Sequence, residues 1–261
     1  MILYPNAKIN LGLSVLSKRE DGFHNLETLF YPVDAKDVLE IVESSDLSMH
    51  QYGIEYPGDP MDNLCIKAYK ALKEDFDIPP VDIHLYKKIP VGAGLGGGSA
   101  DAAFTLRGLN DMFSLNLPDN KLAEYAASLG SDCAFFIYNR PMIGEGRGEI
   151  LTSYPLEGLD YGQEDTSSSE YELQVLTPEG VAVSTADAYR GIRPHLPEVP
   201  LREALSKPVG QWQDVLSNDF EETVFAKYPE LAAIKKSLYD SGADYASMSG
   251  SGSALFGIYR K

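Results

Sequence analysis

Pro90-Val91-Gly92-Ala93-Gly94-Leu95-Gly96-Gly97-Gly98-Ser99-Ala100-Asp101 is the stretch whose reading decides the fold. Five glycines fall within the seven positions from Gly92 to Gly98. Before it, Val81, Ile83 and Leu85 alternate with polar residues, the pattern of a half-buried strand. After it, Ala102, Ala103, Leu106 and Leu109 recur at helical spacing. Ser99 suits the N-cap, and Asp101 then falls in the first turn, where a carboxylate is favoured. A strand, a glycine loop and a helix start together make an anion site. Glycine lets a ligand approach the backbone, and the first helical N–H groups lack internal partners and point at the loop. Phosphate is the expected guest. A mere tight turn needs one or two glycines, because each costs backbone entropy.

The spacing of Gly92, Gly94 and Gly97 matches G-x-G-x-x-G, but a dinucleotide site also needs a second strand ending in an acid about 20 residues on. Residues Asn110 to Asp119 read as a loop instead. The chain has no Gly-Lys pair, which excludes a Walker A motif, and it lacks the protein-kinase catalytic-loop and Asp-Phe-Gly signatures. The loop therefore belongs to another class of phosphate binder.

Composition narrows the classes further. A chain of 261 residues suits one large domain or two small ones, and 44% apolar residues supply a sizeable core. A formal net charge of −17 argues against nucleic acid and anionic membrane as partners. An anionic substrate must then be held by locally assembled N–H groups and a few basic side chains. No apolar run approaches the roughly 18 residues of a membrane span. The opening Met1-Ile2-Leu3-Tyr4-Pro5 has no basic segment, so no signal peptide is expected. Cys65 and Cys133 are too far apart in sequence to suggest a disulfide framework or zinc spacing, and a reduced cytoplasmic setting is expected. His24, His50, His84 and His195 show no metal-ligand pairing on a helix.

From the N-terminus, Ile9, Leu11, Leu13 and Val15 alternate with Lys8, Asn10, Gly12 and Ser14, predicting a strand with one polar face. Lys8 and Asn10 share that face, and a strand lysine ordinarily marks a solvated edge. Asp21-Gly22 is a turn signal, and the Phe23-His24 pair after it is either a packing pair at a hairpin end or a recognition element. Strand-like runs follow at Thr28 to Tyr31 and Leu39 to Val42, then a helix near Asn63. Beyond the glycine loop, a helix through Leu122, Tyr125, Ala126 and Leu129 ends at Gly130. Asp132 precedes an apolar run and reads as an N-cap. From Glu164 to Glu170 the chain is polar and reads as an exposed loop. A strand over Tyr171 to Leu176, a short helix capped by Ser184 or Thr185, and a helix opened by Pro229 and closed by Gly242 come next. Met248 to Tyr259 holds a second glycine loop, expected between a helix and a buried strand.

Several of these segments together resemble the GHMP family of small-molecule kinases, named for galacto-, homoserine, mevalonate and phosphomevalonate kinases. The matching motifs are Pro5 to Leu13 around Lys8, Pro90 to Ala103, and Met248 to Phe256, in that order. Arg19 to Leu26, Leu129 to Asp132 and Asn218 to Glu221 extend the match along the chain. The resemblance implies a two-domain α/β (α+β) fold with ATP and substrate in the cleft between domains. The expected division is an N-terminal nucleotide-binding domain over 1–150 and a smaller C-terminal domain over 151–261. It implies ATP as co-substrate, Mg2+ arriving with the nucleotide, and the loop Pro90 to Ala100 as the phosphate cradle. Lys8 and Asp132 become the expected catalytic pair, with Asp132 taking the proton of the substrate hydroxyl.

The Asp21-Gly22-Phe23-His24 stretch resembles that of members acting on a cytidine diphosphate sugar alcohol of isoprenoid precursor synthesis. On that resemblance Phe23 and His24 hold the cytosine by stacking and hydrogen bonds, Tyr189 stacks on its other face, and Thr185 lines the pocket. Asn10 helps hold the substrate, and Ser251 and Gly252 close the site over the reacting groups. Three features depart from the family pattern. Ala100 stands where a second serine is common, Phe23 replaces a tyrosine, and Asp165 to Glu170 looks like an insertion without assigned function. No dedicated carboxylate cage for a metal is readable. The rival readings are a GHMP-fold kinase acting on mevalonate, homoserine or a sugar, and a non-catalytic metabolite-binding regulator on the same scaffold. Nothing in the sequence sets an oligomeric state.

Overall fold

The computed structural model describes residues 1–55, 58–156, 158–159 and 169–261. In chain order its strands and helices begin with β1 (Ile2–Leu3), β2 (Asn6–Lys18), β3 (His24–Lys36), β4 (Val38–Glu43), β5 (Ser48–Gly53), α1 (Leu64–Asp75) and β6 (Val81–Lys87). Then come α2 (Gly97–Met112), α3 (Asp119–Leu129), α4 (Cys133–Tyr138), β7 (Met142–Gly146) and β8 (Ile150–Ser153). The chain closes with β9 (Tyr171–Leu176), α5 (Thr185–Arg190), α6 (Leu201–Leu205), α7 (Phe220–Lys227), α8 (Pro229–Asp240), β10 (Tyr245–Met248) and β11 (Leu255–Arg260).

Two units divide these elements. The first comprises residues 1–8, 33–91 and 96–139. Its sheet has the order β1-β4-β6-β5, with β4 antiparallel and β5 parallel to β6. Val81, Ile83 and Leu85 of β6 are buried, while Asp82, His84 and Tyr86 alternate onto the other face. Ile66 and Leu72 of α1 and Ala102, Leu106 and Leu109 of α2 are also fully buried. Gly108 keeps α2 close to its neighbours, since a Cβ there would lie 2.6 Å from Leu3.

The second unit comprises residues 9–32, 92–95 and 140–261. Its three-stranded sheet runs β10-β11-β9, all antiparallel, with Leu231 and Leu238 of α8 in the core beside Met248 and Leu255. A further sheet has the order β2-β3-β7-β8, and β2 and β3 each run through the residue ranges of both units. Among the described residues no helix is long and apolar enough to cross a membrane.

Most predicted elements occur where their patterns place them, with three corrections. Helix α2 starts at Gly97, not after Ser99, because Gly96 occupies the N-cap in a left-handed conformation with φ 70°. The second glycine loop joins β10 to β11 as an antiparallel hairpin rather than following a helix. In the polar stretch, residues 164–168 lie outside the described residues, but Ser169 is buried, its hydroxyl donating to the carbonyls of Gly158 and Tyr171.

Candidate active site

In the first unit, Lys8 Nζ lies 3.4 Å from a carboxylate oxygen of Asp132. The lysine is 3% exposed, so the solvated-edge reading of β2's polar face is overturned. Burial lowers its pKa below the usual lysine range, with Asp132 pulling the other way. Asp132 does sit at the N-cap of α4, but its side chain makes no capping bond. Its side chain is 32% exposed and its carboxylate is directed to Lys8. The start of α2 adjoins this pair: a Cβ at Gly96 would lie 3.2 Å from Lys8 Cε and 3.0 Å from the Phe136 ring. Ser99 lies beside Cys133, whose thiol is pushed up to about 11 by burial against the opposing pull of Ser99.

The glycines of the loop divide by cause. Gly92 to Leu95 belong to the second unit and Gly96 onward to the first. A Cβ at Gly94 would lie 2.0 Å from the Ser249 carbonyl oxygen, and one at Gly97 would lie 2.9 Å from Ile89 and 3.1 Å from Lys87 Nζ. Those glycines are required by the protein's own packing. Gly98 differs, because it sits in the first turn of α2, is exposed, and has open space where a Cβ would project. It is the glycine of α2's first turn whose side a phosphate can approach.

Under Gly97 lies a second buried lysine that the sequence reading did not single out. Lys87 Nζ bonds the Asp37 carboxylate and, at 2.7 Å, the Asp101 carboxylate. Asp37 also accepts from the backbone N–H groups of Lys88 and Ile89, at 2.5 and 2.9 Å. Burial pulls the Lys87 pKa down, but the two carboxylates outweigh it and the net shift is upward. Burial raises Asp101 to about 7, opposed by Lys87 and reinforced by Asp37, and its Oδ1 is buried without a hydrogen-bond partner. Asp101 is the fifth residue of α2, so its expected first-turn role is replaced by this anchoring role. No local pattern links Asp37, Lys87 and Asp101, so the sequence carried no signal for the trio.

In the second unit, the two glycine loops dock on each other. Ser249 Oγ donates to the Gly94 carbonyl at 2.9 Å, and Ala254 N donates to Ala93 at 3.0 Å. Asn218, buried at the start of the Asn218 to Glu221 motif, clamps the second loop by donating to the carbonyls of Met248 and Gly250 at 2.7 and 2.8 Å. Asn10 is also buried, donates to Thr28 Oγ1 at 3.1 Å, and lies 3.3 Å from where a Gly250 Cβ would be. Thr185 and Ser251 hydroxyls meet at 3.0 Å, and Gly252 takes φ +83°.

The predicted aromatic residues lie in the same unit. His24 and Tyr189 stack with ring centroids 5.0 Å apart and planes 21° from parallel. Tyr189 also meets Phe220 edge-on at 4.8 Å. Burial, then the Lys18 charge, lowers the His24 pKa, favouring the neutral ring. Phe23 is 55% exposed, with the Arg147 guanidinium 5.0 Å over its ring.

The chain is similar to known proteins in sequence and in fold. Residues 63–140 match the GHMP kinases N terminal domain, and residues 201–261 match the GHMP kinases C terminal domain. The 4-diphosphocytidyl-2-C-methyl-D-erythritol kinase of Bacteroides fragilis is 52% identical, over 99% of this chain and 92% of that protein. A crystal structure of 4-(cytidine 5'-diphospho)-2C-methyl-D-erythritol kinase superposes with TM-score 0.80 at 32% identity, over 99% of this chain and 90% of that one. A mevalonate kinase structure, at TM-score 0.69 and 14% identity over 100% of this chain and 91% of that one, shares the fold alone.

Proposed function

The chain belongs to the GHMP kinases, and from that membership we propose that it transfers the γ-phosphoryl group of ATP to the 2-hydroxyl of 4-(cytidine 5'-diphospho)-2-C-methyl-D-erythritol, a step of non-mevalonate isoprenoid precursor synthesis. The observation that carries the chemistry is the Lys8–Asp132 pair set against the glycine-capped start of α2. Similarity over nearly the full chain to kinases named for this substrate supports its identity.

Phosphoryl transfer asks a protein mainly for positioning and charge stabilisation. The loop Pro90 to Ala100 cradles the nucleotide phosphates, with N–H groups of α2's first turn as donors. Asp132, partly exposed and not spent on capping, accepts the hydroxyl proton. Lys8 favours negative charge developing on the attacking oxygen. Mg2+ bound with the nucleotide would supply charge neutralisation at its phosphates. It takes oxygen ligands and is commonly held by a few protein groups plus substrate phosphates. Ser99, in the first turn of α2, is an oxygen donor that fits this use.

On the substrate side, Asn10, Thr185, Ser251 and Gly252 position the sugar alcohol, and Phe23, His24 and Tyr189 hold the cytosine. A neutral His24 offers one donor and one acceptor, which suits the amine and ring nitrogen of that base. His24 and Tyr189 touch each other directly, so cytosine enters by opening that stack.

ATP consumption against a panel tests the reading. Only the cytidine-bearing substrate is expected to sustain turnover, and equal or better activity on mevalonate, homoserine or galactose rejects it. Tyr189→Ala should weaken that substrate by about 1–3 kcal/mol, the value of a base stacking on an aromatic ring, with ATP affinity unchanged.

A further inference from the structure

We propose that the outer face of the sheet in the first unit carries a binding site for a divalent transition metal of the Zn2+ and Co2+ class, built from His50, Asp82 and His84. Register brings these residues together. In the parallel pair of β5 and β6, Ser48 stands opposite Asp82 and His50 opposite His84. Asp82 and His84 are two apart on β6, so all four side chains project from one face. The face is the solvated one, since the residues between, Val81, Ile83 and Leu85, are buried.

The donor atoms already converge. His50 Nε2 lies 3.2 Å from one carboxylate oxygen of Asp82, and His84 Nε2 lies 3.1 Å from the other. One ligand atom from each residue falls within 4.8 Å of the others. A tetrahedral ion with bonds of about 2.0–2.1 Å needs donors about 3.4 Å apart. Each nitrogen–oxygen separation, to its own oxygen of Asp82, is near that spacing, and with all three ligand atoms within 4.8 Å side-chain rotation alone is needed to close the set on an ion.

Outer partners are in place as well. Ser48 Oγ donates to Asp82 Oδ1 at 2.7 Å and fixes the carboxylate. The Tyr52 hydroxyl is 3.2 Å from His84 Nδ1, which orients the ring and leaves Nε2 as the ligand. Two imidazoles and one carboxylate suit Zn2+, Co2+, Ni2+ or Cu2+, whereas Mg2+ takes oxygen ligands. The site is separate from the Lys8–Asp132 pair and does not rest on the kinase reading. Bound metal ties β5, the edge strand of this sheet, to β6.

Calorimetric titration of tag-free protein with CoCl2, and then with ZnCl2, tests the site. One ion per chain is expected, with weaker binding as pH falls and protons compete for the imidazoles. His50→Ala and His84→Ala should each lower affinity beyond the roughly 10–100-fold that loss of an outer partner costs, and Tyr52→Phe should fall within that range. His195→Ala should change nothing. Absence of saturable binding, or an unchanged affinity in either of the two former variants, overturns the proposal. If a variant fails to fold, the EPR spectrum of Cu2+ on the wild-type chain decides: couplings from two imidazole nitrogens support the site, and fewer reject it.

Discussion

Lys8 and Lys87 are both buried lysines of the first unit, one against Gly96 and the other against Gly97. Their surroundings differ in one respect that sets their roles. Lys87 is held between two carboxylates that are themselves buried, and its pKa is raised. Lys8 meets one carboxylate at 3.4 Å, that carboxylate is partly exposed, and burial lowers its pKa. A fully enclosed charge network fixes backbone. A buried charge facing a partly exposed carboxylate leaves that carboxylate open to a ligand. The contrast fits the proposed division, in which Lys87 anchors the loop and Lys8 serves the chemistry, and substitutions can separate the two.

The largest expected effect is on the accessible pair. Asp132→Asn keeps shape and any capping ability but removes the proton acceptor. We expect kcat to fall about 10²–10⁴-fold, or roughly 3–5 kcal/mol of barrier, with an unchanged thermal melt. Lys8→Met should lower kcat by about 10²–10³-fold, as loss of an oxyanion donor does elsewhere. Its stability should not fall. A folded pKa below the unfolded one means that charged Lys8 opposes folding at every pH beneath that folded value, and the cost is relieved as pH rises toward 10.5. Removing the charge removes this cost, while Asp132 remains partly in water. Steady-state kinetics with a parallel melt reads both, and a strongly destabilised Lys8→Met would make Lys8 structural like its neighbour.

Lys87→Met should do the opposite. It leaves Asp37 and Asp101 facing each other without a cation, and breaking a buried pair in this way costs about 3–5 kcal/mol of stability. Denaturant unfolding measures it. If the variant keeps its stability and loses only turnover, the contrast between the two lysines collapses.

How far the sequence foresaw this contrast depends on the range of the interactions. Motifs that act locally were legible: the loop, the Asp132 position ahead of an apolar run, Ser184 as the α5 cap, and Pro229 opening α8. Period two placed Lys8 and Asn10 on one polar face of β2 but said nothing about what covers it. Gly96 lies against Lys8, and Gly250 lies beside Asn10, through chain returning from about 90 and 240 residues away. A polar strand face reads as solvated unless those returns are known. The Lys87 network failed for the same reason, joining Asp37 and Asp101 across separations of 50 and 14 residues. Resemblance to a family singled out Lys8 as an expected site residue, whereas nothing local marked Lys87.

A pH titration sharpens the structural half of the comparison. Asp101 has a folded pKa raised to about 7 from 3.8. Its contribution to stability is fully present below about 4 and is lost as pH rises through about 7, at about 1.4 kcal/mol per unit and about 4 kcal/mol in all. Lys87 stays charged across that window, because its pKa is raised above 10.5. Asp101→Asn cannot ionise, so the stability gap between wild type and variant should shrink as pH rises from 5 to about 8. Unfolding curves at several pH values measure the gap. A constant gap would mean that Asp101 does not titrate in the folded chain.

The smallest effect concerns the loop that lies against both lysines. At Gly94 and Gly97 an added methyl group runs into protein atoms, so substitutions there confuse packing with ligand approach. Gly98 is free of that confusion, being helical, exposed and open where a Cβ would go. Alanine at a helix position gains about 0.5–1 kcal/mol over glycine, so Gly98→Ala should be as stable as wild type or slightly more so. If the first turn of α2 receives the nucleotide phosphates, the same methyl group stands between them and the N–H donors, and ATP should bind more weakly, by about 1 kcal/mol or more for a lost hydrogen bond. Stability and affinity thus move in opposite directions only if the open side of Gly98 is the side a phosphate uses. A variant that gains stability and keeps its ATP affinity would move the phosphate away from α2, and with it the reason for keeping Lys8 charged and buried beside Gly96.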